Sequence, residues 1–161
     1  MPSVLFVCLG NICRSPAAEG ILRHVAQNDQ ALKELHIESC GIGDWHVGQL
    51  PDERMRQAAQ DRGIILSTRA QQFKLEFLDQ FDYILAADQE VLHDLYYYAK
   101  NPEHKAKIHL ITAFSSSYKN QVVPDPYYQG EGAFEYVLDM LEDSCQGLIE
   151  QIKKTNFKSH S

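Results

Sequence analysis

The sequence predicts an α/β fold with a mainly parallel sheet. Short apolar runs alternate with amphipathic helical patterns along the 161-residue chain, and the first run passes directly through a tight loop into a helix. Strands that alternate with helices are joined by right-handed crossovers, which make neighbouring strands parallel. The composition, 44% hydrophobic and 23% charged, is typical of one globular domain. We expect that domain to span residues 1–155 and residues 156–161 to form a frayed tail.

The first predicted element is a buried strand at residues 4–7, which ends at Cys8. The helical pattern begins at Ser15, and Pro16 falls in the first turn, where its missing N–H has no cost. The apolar face of this helix consists of Ala18, Ile21, Leu22 and Val25. The later strands are predicted at residues 37–40, 83–86 and 108–111, and the later helices at residues 52–62, 89–99 and 133–153.

Charge and cysteine content limit the possible functions. The formal net charge of −7 argues against nucleic acid as a partner, so an anionic substrate needs a local positive site. The apolar run at residues 4–7 is too short to cross a membrane and has no features of a secretion signal. The cysteines are too few and too irregularly spaced for a disulfide scaffold: Cys8, Cys13, Cys40 and Cys145. We therefore expect reduced thiols and a cytoplasmic location.

The segment CLGNICRS at residues 8–15 predicts an anion-binding loop between strand and helix. Successive backbone N–H groups of such a loop turn inward, and the positive end of the following helix dipole points to the same place. Gly10 and Asn11 both tolerate the positive φ of a tight loop, and the planar guanidinium of Arg14 can hold two phosphate oxygens. These surroundings favour a Cys8 thiolate, which is a nucleophile. The predicted phosphate-binding residues of the loop are Leu9, Gly10, Asn11, Ile12, Cys13 and Ser15.

Cys-x5-Arg-Ser after the first strand, together with Asp-Pro-Tyr-Tyr at residues 125–128, resembles the low-molecular-weight protein tyrosine phosphatase family. The resemblance covers essentially the whole chain. It implies a three-layer fold with a four-stranded parallel sheet flanked by helices, and no metal or cofactor. It also implies a two-step reaction in which Cys8 attacks phosphorus and water later releases phosphate. Ser15 would then stabilise the cysteine as it leaves.

Asp125 fits the remaining chemical role in such a reaction. A phenolate leaves more easily when a carboxylic acid protonates it, and the resulting carboxylate can then activate water. Pro124 and Pro126 stiffen the loop that would hold this carboxyl over the phosphate. Because one step needs ionised Cys8 and the other protonated Asp125, we expect a bell-shaped pH profile with an acidic to neutral optimum.

The resemblance places aromatic residues at the mouth of the site, where they suit an aromatic phosphoester: Trp45, Tyr127 and Tyr128. His46 beside Trp45 is more typical of an exposed polar residue than of a catalyst. The chain has Thr68 where many family members have a histidine that supports the loop asparagine. We therefore expect Asn11 to depend on Ser15 and Ser39. Cys13 is close enough along the loop to form a reversible disulfide with Cys8 on oxidation.

Several alternatives remain open at this point. Protein arginine phosphatases resemble the same loop but tend to have threonine where this chain has Ile12. Arsenate reductases need further cysteines, and Cys40 and Cys145 are not a closely spaced pair. A thiol or metal-binding module and an inactive phosphopeptide-binding protein are the non-enzymatic alternatives. The expected partner is a phosphotyrosine protein, with a bacterial tyrosine kinase suggested by analogy. We expect no nucleic acid or membrane partner and a monomer.

Overall fold

Four parallel strands form one sheet in the order β2-β1-β3-β4. A computed structural model describes residues 2–127, 129–130 and 132–159. The strands are β1 (Ser3–Cys8), β2 (His36–Gly41), β3 (Tyr83–Ala86) and β4 (Ile108–Leu110). The helices are α1 (Arg14–Gln27), α2 (Glu53–Gln60), α3 (Phe77–Gln80), α4 (Gln89–Tyr98), α5 (Pro102–Lys107) and α6 (Gly132–Ser159), and two 3₁₀ turns occupy Gln30–Leu32 and Ile111–Phe114.

The centre of the sheet is β1, whose four apolar residues are completely inaccessible to solvent. Val4 and Phe6 belong to the core on one face of the sheet, together with residues of α1, α2 and α6. Leu5 and Val7 belong to the core on the other face, with residues of α3 and α4. Successive side chains of a strand point to opposite faces, so a strand buried on both faces is apolar throughout. The predicted four-stranded parallel sheet between two helical layers is confirmed.

The helix boundaries follow from capping side chains. Asp52, Asp88 and Asn101 each accept hydrogen bonds from backbone N–H groups in the first turn of α2, α4 and α5. The predicted helix at residues 52–62 is therefore shorter, because its first residue is the cap. Helix α5 was not predicted, although an asparagine cap followed by Pro102 at the first helical position is its sequence signal. The helix is only 6 residues long and has too few apolar positions for a periodic pattern.

Helix α6 covers the sheet from one face and extends beyond the predicted residues 133–153 at both ends. Gly147 lets this helix approach the backbone of Phe114, because a Cβ on Gly147 would lie 1.8 Å from the Phe114 carbonyl oxygen. The fourth strand is shorter than predicted, since Ile111 already begins a 3₁₀ turn. Among the described residues no helix combines the length and the apolar character needed to cross a bilayer.

Candidate active site

The loop between β1 and α1 folds around the sulfur of Cys8. Cys8 ends the central strand, and Asn11 takes the left-handed conformation, with φ of 58°, three residues later. The chain therefore curls back, and the backbone N–H of Asn11 donates to Cys8 Sγ at 3.2 Å. Gly10 also tolerates a positive φ but does not adopt one. A glycine at position 10 leaves room for the His46 ring, because a Cβ there would lie 3.0 Å from Cδ2 of His46.

The loop is held against the end of β2. The backbone N–H of Ile42 donates to the carbonyl oxygen of Cys8 at 3.0 Å, and that of Gly43 donates to Leu9 at 2.9 Å. Gly41 allows this approach, because a Cβ there would lie 2.9 Å from the carbonyl carbon of Gly10. At the far side of the loop, the N–H of Asp52 donates to the carbonyl oxygen of Ile12 at 2.7 Å. The carbonyl groups of the loop are thus turned outward, which leaves its N–H groups for the centre.

Buried hydroxyl and amide groups support Cys8 from behind. Ser15 Oγ lies 2.9 Å from Cys8 Sγ, and the side-chain amide of Asn11 donates to Ser15 Oγ at 2.7 Å and to Ser39 Oγ at 3.0 Å. These are the two partners predicted for Asn11. Thr68 contacts the carboxylate of Glu19 rather than Asn11. The side chains of Asn11 and Ser15, two residues predicted to bind phosphate, are buried behind the loop.

Arg14 is buried, and two acceptors fix its position. Its NH1 group donates to Asp88 Oδ2 at 2.6 Å and to the carbonyl oxygen of Val123 at 2.9 Å. Burial lowers the pKa of Arg14, but the charges of Cys8, Asp88 and Asp125 outweigh burial, so the net shift is upward. The guanidinium therefore stays cationic at the site and cannot turn away from the loop.

Asp125 lines the same pocket as the loop, and its Oδ2 is 4.0 Å from NH2 of Arg14. Its Oδ1 accepts from the backbone N–H of Tyr127 at 3.1 Å, an Asx turn that orients the carboxyl group. The side chain remains 49% exposed, so a proton can reach it from solvent. The structure thus brings together the three residues predicted to carry the reaction, which are separated by 117 positions in the sequence.

These groups surround a pocket of about 240 Å³. Its mouth includes Trp45, which is 65% exposed, and its walls include Tyr127. The guanidinium of Arg54 lies 5.1 Å from the ring centroid of Tyr127 and 4.8 Å from that of Phe134, so it holds the Tyr127 wall by cation–π contact. Tyr128 lies outside the described residues. The residues lining the pocket are Cys8, Leu9, Gly10, Ile12, Cys13, Arg14, Trp45, His46, Asp125 and Tyr127.

The cysteines Cys13 and Cys40 are buried close to Cys8. Burial raises the pKa of Cys13, and the negative charges of Asp52 and Cys8 add to this effect. Burial also raises the pKa of Cys40, with Cys8 as a further cause. Both groups therefore stay protonated at neutral pH. Cys8 accepts the backbone N–H of Asn11 and lies near the charge of Arg14.

Asp88 and Gly41 also shape the site, and the sequence patterns did not indicate either residue. Asp88 follows β3, and Gly41 ends β2, so both lie at the same carboxyl edge of the sheet as Cys8. The rule that ligands bind at this edge, which pointed to Cys8, could have identified both. No sequence signal indicates that the main-chain oxygen of Val123 would bind Arg14, since it depends on a loop 109 positions away.

The arrangement can bind a tetrahedral anion, attack it with sulfur and protonate its leaving group. The family model for low molecular weight phosphotyrosine protein phosphatase matches residues 3–158. The low molecular weight protein-tyrosine-phosphatase YfkJ of Bacillus subtilis is 40% identical over 157 residues, which are 96% of this chain and 97% of that protein.

Solved structures agree with this match. A crystal structure of a protein tyrosine phosphatase from Entamoeba histolytica has a TM-score of 0.91 at 37% identity, covering 97% of this chain and 99% of that one. A Drosophila arginine phosphatase has a TM-score of 0.86 at 31% identity, covering 95% and 98%. The chain therefore belongs to the low molecular weight phosphotyrosine protein phosphatase family.

Proposed function

We propose that this protein hydrolyses phosphotyrosine in other proteins through a cysteinyl-phosphate intermediate. The observation that carries the proposal is the convergence of Cys8, Arg14 and Asp125 on one pocket with aromatic walls. Each of these groups has a defined partner that orients it: Ser15 for Cys8, Asp88 for Arg14 and the Tyr127 N–H for Asp125. Pre-orientation of this kind supplies most of the catalysis in phosphoryl transfer.

In the first step the thiolate of Cys8 forms a bond to phosphorus while the bond from phosphorus to the tyrosine oxygen breaks. The loop N–H groups and the guanidinium of Arg14 stabilise the charge on the phosphoryl oxygens. The carboxylic acid of Asp125 gives its proton to the departing phenolate oxygen. This proton transfer accounts for a half-exposed acid in the same pocket as the nucleophile.

In the second step water attacks phosphorus and the sulfur–phosphorus bond breaks. Asp125, now a carboxylate, takes the proton of the attacking water, and inorganic phosphate leaves. Cys8 departs as a thiolate, which the Asn11 N–H at 3.2 Å and the Ser15 hydroxyl at 2.9 Å stabilise. These hydrogen bonds become stronger as charge develops on sulfur, so they lower the barrier rather than only the ground state.

The pocket walls favour an aromatic phosphoester. Trp45 and Tyr127 can contact the ring of phosphotyrosine, and such aromatic contacts contribute about 0.5–1.5 kcal/mol per pair beyond area burial. Phosphoserine has no ring to fill this space, and its shorter side chain would leave the phosphate farther from Cys8. The half-buried Ile12 adds an apolar wall, which suits a phenyl ring better than a guanidinium.

The testing experiment measures phosphate release from matched phosphotyrosine, phosphoarginine and phosphoserine peptides, with reductant and a metal chelator present. We expect turnover of the phosphotyrosine peptide alone, and a Cys8→Ser variant should lose it. Preference for phosphoarginine would transfer the assignment to arginine phosphatase, the named activity of the Drosophila neighbour. Absence of turnover with all three peptides would refute the enzymatic proposal.

The same site supports reversible protection by oxidation. Cys8 and Cys13 both line the pocket, and both are reduced thiols in the structure. Peroxide should convert Cys8 to a sulfenic acid, which condenses with the Cys13 thiol to a disulfide and releases water. Thiol reductant should then restore activity in the parent protein, whereas a Cys13→Ala variant should remain inactive after prolonged peroxide exposure. Equal recovery of both proteins would contradict this protection.

The partners proposed for the protein follow from this chemistry. The substrate is a protein that carries phosphotyrosine, and a bacterial tyrosine kinase is one candidate by analogy. The reduced cysteines support a cytoplasmic location. The four cysteines are all buried, which also fits a chain that functions without disulfides.

A further inference from the structure

Glu19 is a buried carboxylate that belongs to none of the catalytic steps described above. It lies on α1 directly behind the phosphate-binding loop, and its exposed fraction is 0%. Three donors contact its two oxygens: Ser39 Oγ at 2.5 Å, Thr68 Oγ1 at 2.8 Å and Arg23 Nε at 2.9 Å. A buried carboxylate is costly unless such partners compensate it, so this position calls for an explanation.

The carboxylate determines which way the neighbouring hydroxyl of Ser39 points. A carboxylate only accepts hydrogen bonds, so Ser39 must use its one proton on Glu19 Oε1. The oxygen of Ser39 can then only accept, and it accepts from the side-chain amide of Asn11 at 3.0 Å. With its proton on Glu19, Ser39 cannot compete as a donor elsewhere.

Asn11 joins Ser39 to Ser15, which lies beside the nucleophile. Its Oδ1 accepts from the backbone N–H of Gln71 at 2.9 Å, so its Nδ2 group faces the two serines and donates one proton to each. Ser15 Oγ therefore accepts from Asn11, and its own proton is available for another acceptor. Cys8 Sγ at 2.9 Å is closer to Ser15 Oγ than the carbonyl oxygen of Cys40 at 3.4 Å. The chain of hydrogen bonds thus ends with a donor directed at the sulfur.

We propose that Glu19 is a positioning residue, which orients the Ser39–Asn11–Ser15 relay so that the Ser15 hydroxyl donates to the Cys8 thiolate. The inference rests on the proposed role of Cys8 as nucleophile. Thr68 and Arg23 hold the Glu19 carboxylate in place by donating hydrogen bonds from its outer side, where the Arg23 side chain is 48% exposed. Glu19 touches neither substrate nor sulfur and acts only through the relay.

A Glu19→Gln variant tests this role with almost no change of shape. Its amide group would present an N–H to Ser39 if its oxygen kept the contact with Arg23, and Ser39 would lose the acceptor for its proton. The unpaired Ser39 proton would then face the Asn11 amide and weaken the hydrogen bond between Asn11 and Ser39. This would loosen the Asn11 side chain that directs the Ser15 proton to sulfur. We expect kcat with phosphotyrosine peptide to fall on the order of tenfold with KM changed less than about threefold, since the lost donor acts on the charged sulfur.

A second measurement does not depend on phosphatase activity. The pH dependence of Cys8 alkylation by iodoacetamide, followed by mass spectrometry of the Cys8 peptide, reports thiolate formation directly. In Glu19→Gln the pH of half-maximal alkylation should rise by about one unit. Because alkylation needs no phosphoester, failure of the proposed function would leave this readout intact, and the two failures are distinguishable.

Two further variants keep the test decisive if Glu19→Gln folds poorly. Ser39→Ala removes the relay at its second member and should give the same alkylation shift, and the double variant Glu19→Gln/Ser39→Ala should add little to it. Asp143→Asn is the matched control, because Asp143 accepts from Ser115 and from the N–H groups of Ser116 and Ser117 away from the pocket. It should leave alkylation unchanged. An unchanged alkylation profile in folded Glu19→Gln or Ser39→Ala, or fully additive effects in the double variant, would overturn the proposal.

Discussion

The nucleophile and the acid of this site differ in their exposure to solvent. Cys8 is 3% exposed and surrounded by donors, whereas the Asp125 side chain is 49% exposed and makes a single short contact with the Tyr127 N–H. A buried thiolate is stabilised by fixed donors rather than by water, so it needs no solvent reorganisation when it attacks. An acid that must reload a proton in every turnover benefits from contact with solvent. The difference between the two residues is therefore a consequence of their tasks.

Replacement of Asp125 by Asn tests the acid role at the scale of one residue. The amide keeps the size and the Asx turn but cannot donate a proton of comparable acidity. We expect hydrolysis of phenyl phosphate, whose phenolate is a poor leaving group, to slow about 100-fold. Hydrolysis of 2,4-dinitrophenyl phosphate, which has a good leaving group, should change less than about threefold. Steady-state kcat/KM for the two esters measures the difference. Equal slowing of both esters would assign Asp125 to binding instead.

Asp88 connects an element of the fold to the chemistry of the site. Its Oδ1 accepts from the backbone N–H of Val91 and caps α4, while its Oδ2 accepts from Arg14. One carboxylate thus fixes both the start of a helix and the orientation of the phosphate clamp. The placement follows from topology, because β3 lies beside β1 and brings the cap of the next helix to the edge where Cys8 lies.

An Asp88→Asn variant should separate the two roles. Asparagine is as good a helix cap as aspartate, but its bond to Arg14 lacks the charge of the partner. We expect kcat with phosphotyrosine peptide to fall about tenfold, with the melting temperature lowered by less than about 3 °C.

The matched control for capping is Asn101→Ala, which removes the cap of α5 and leaves Arg14 untouched. It should lower stability by about 1 kcal/mol with kcat unchanged. If Asp88→Asn lost stability like this control but kept full activity, the ion pair with Arg14 would have no catalytic role.

The molecule as a whole keeps its cysteine thiols inside two cores and an active site. All four are buried, and burial raises the pKa of Cys40 and of Cys145, as it does for Cys13. A thiol whose pKa is higher in the folded chain keeps its proton when the unfolded chain loses it. The stability that depends on these groups is therefore complete below the ordinary cysteine pKa of about 8.5 and is lost as the pH rises above it.

Stability should consequently fall on the alkaline side of neutrality. Each such thiol contributes a slope of about 1.4 kcal/mol per pH unit once the unfolded chain is ionised. Cys145 lies on α6 away from the pocket, so Cys145→Ala should reduce the slope of unfolding free energy between pH 9 and 10 by about this amount. Urea unfolding with a non-thiol reductant measures the slope in both proteins, which share all other titrating groups. Identical slopes would show that Cys145 ionises equally in both states.

The sequence predicted much of the fold because its signals are local. The apolar strand before Cys8, the helix after Arg14 and the alternation of the later elements indicate a parallel sheet by period and order alone. The short helices α3 and α5 and the end of β4 were missed or misplaced. Their limits depend on caps and on neighbouring backbone, as at Asn101, rather than on an apolar period.

The candidate site was predicted in part for the same reason. The loop from Cys8 to Ser15 is one continuous segment, so its anion-binding chemistry can be inferred from the order of its residues. Asp125 was identified through its neighbouring prolines and a family resemblance, not through any local relation to Cys8. Ser39 was correctly predicted as a partner of Asn11. The contact of Ser39 with Glu19 was not predicted.

By itself, the sequence determined the proposed nucleophile, the proposed clamp and the order of strands and helices, because these depend on residues close together in the chain. Only the tertiary structure decided what orients them: Asp88 and Val123 at Arg14, Gly41 under the loop, and Glu19 at the end of the relay. These contacts join residues of different helices, strands and loops around the carboxyl edge of the sheet. Distance along the sequence does not predict these contacts, because the topology of the sheet brings together residues that are far apart in the chain.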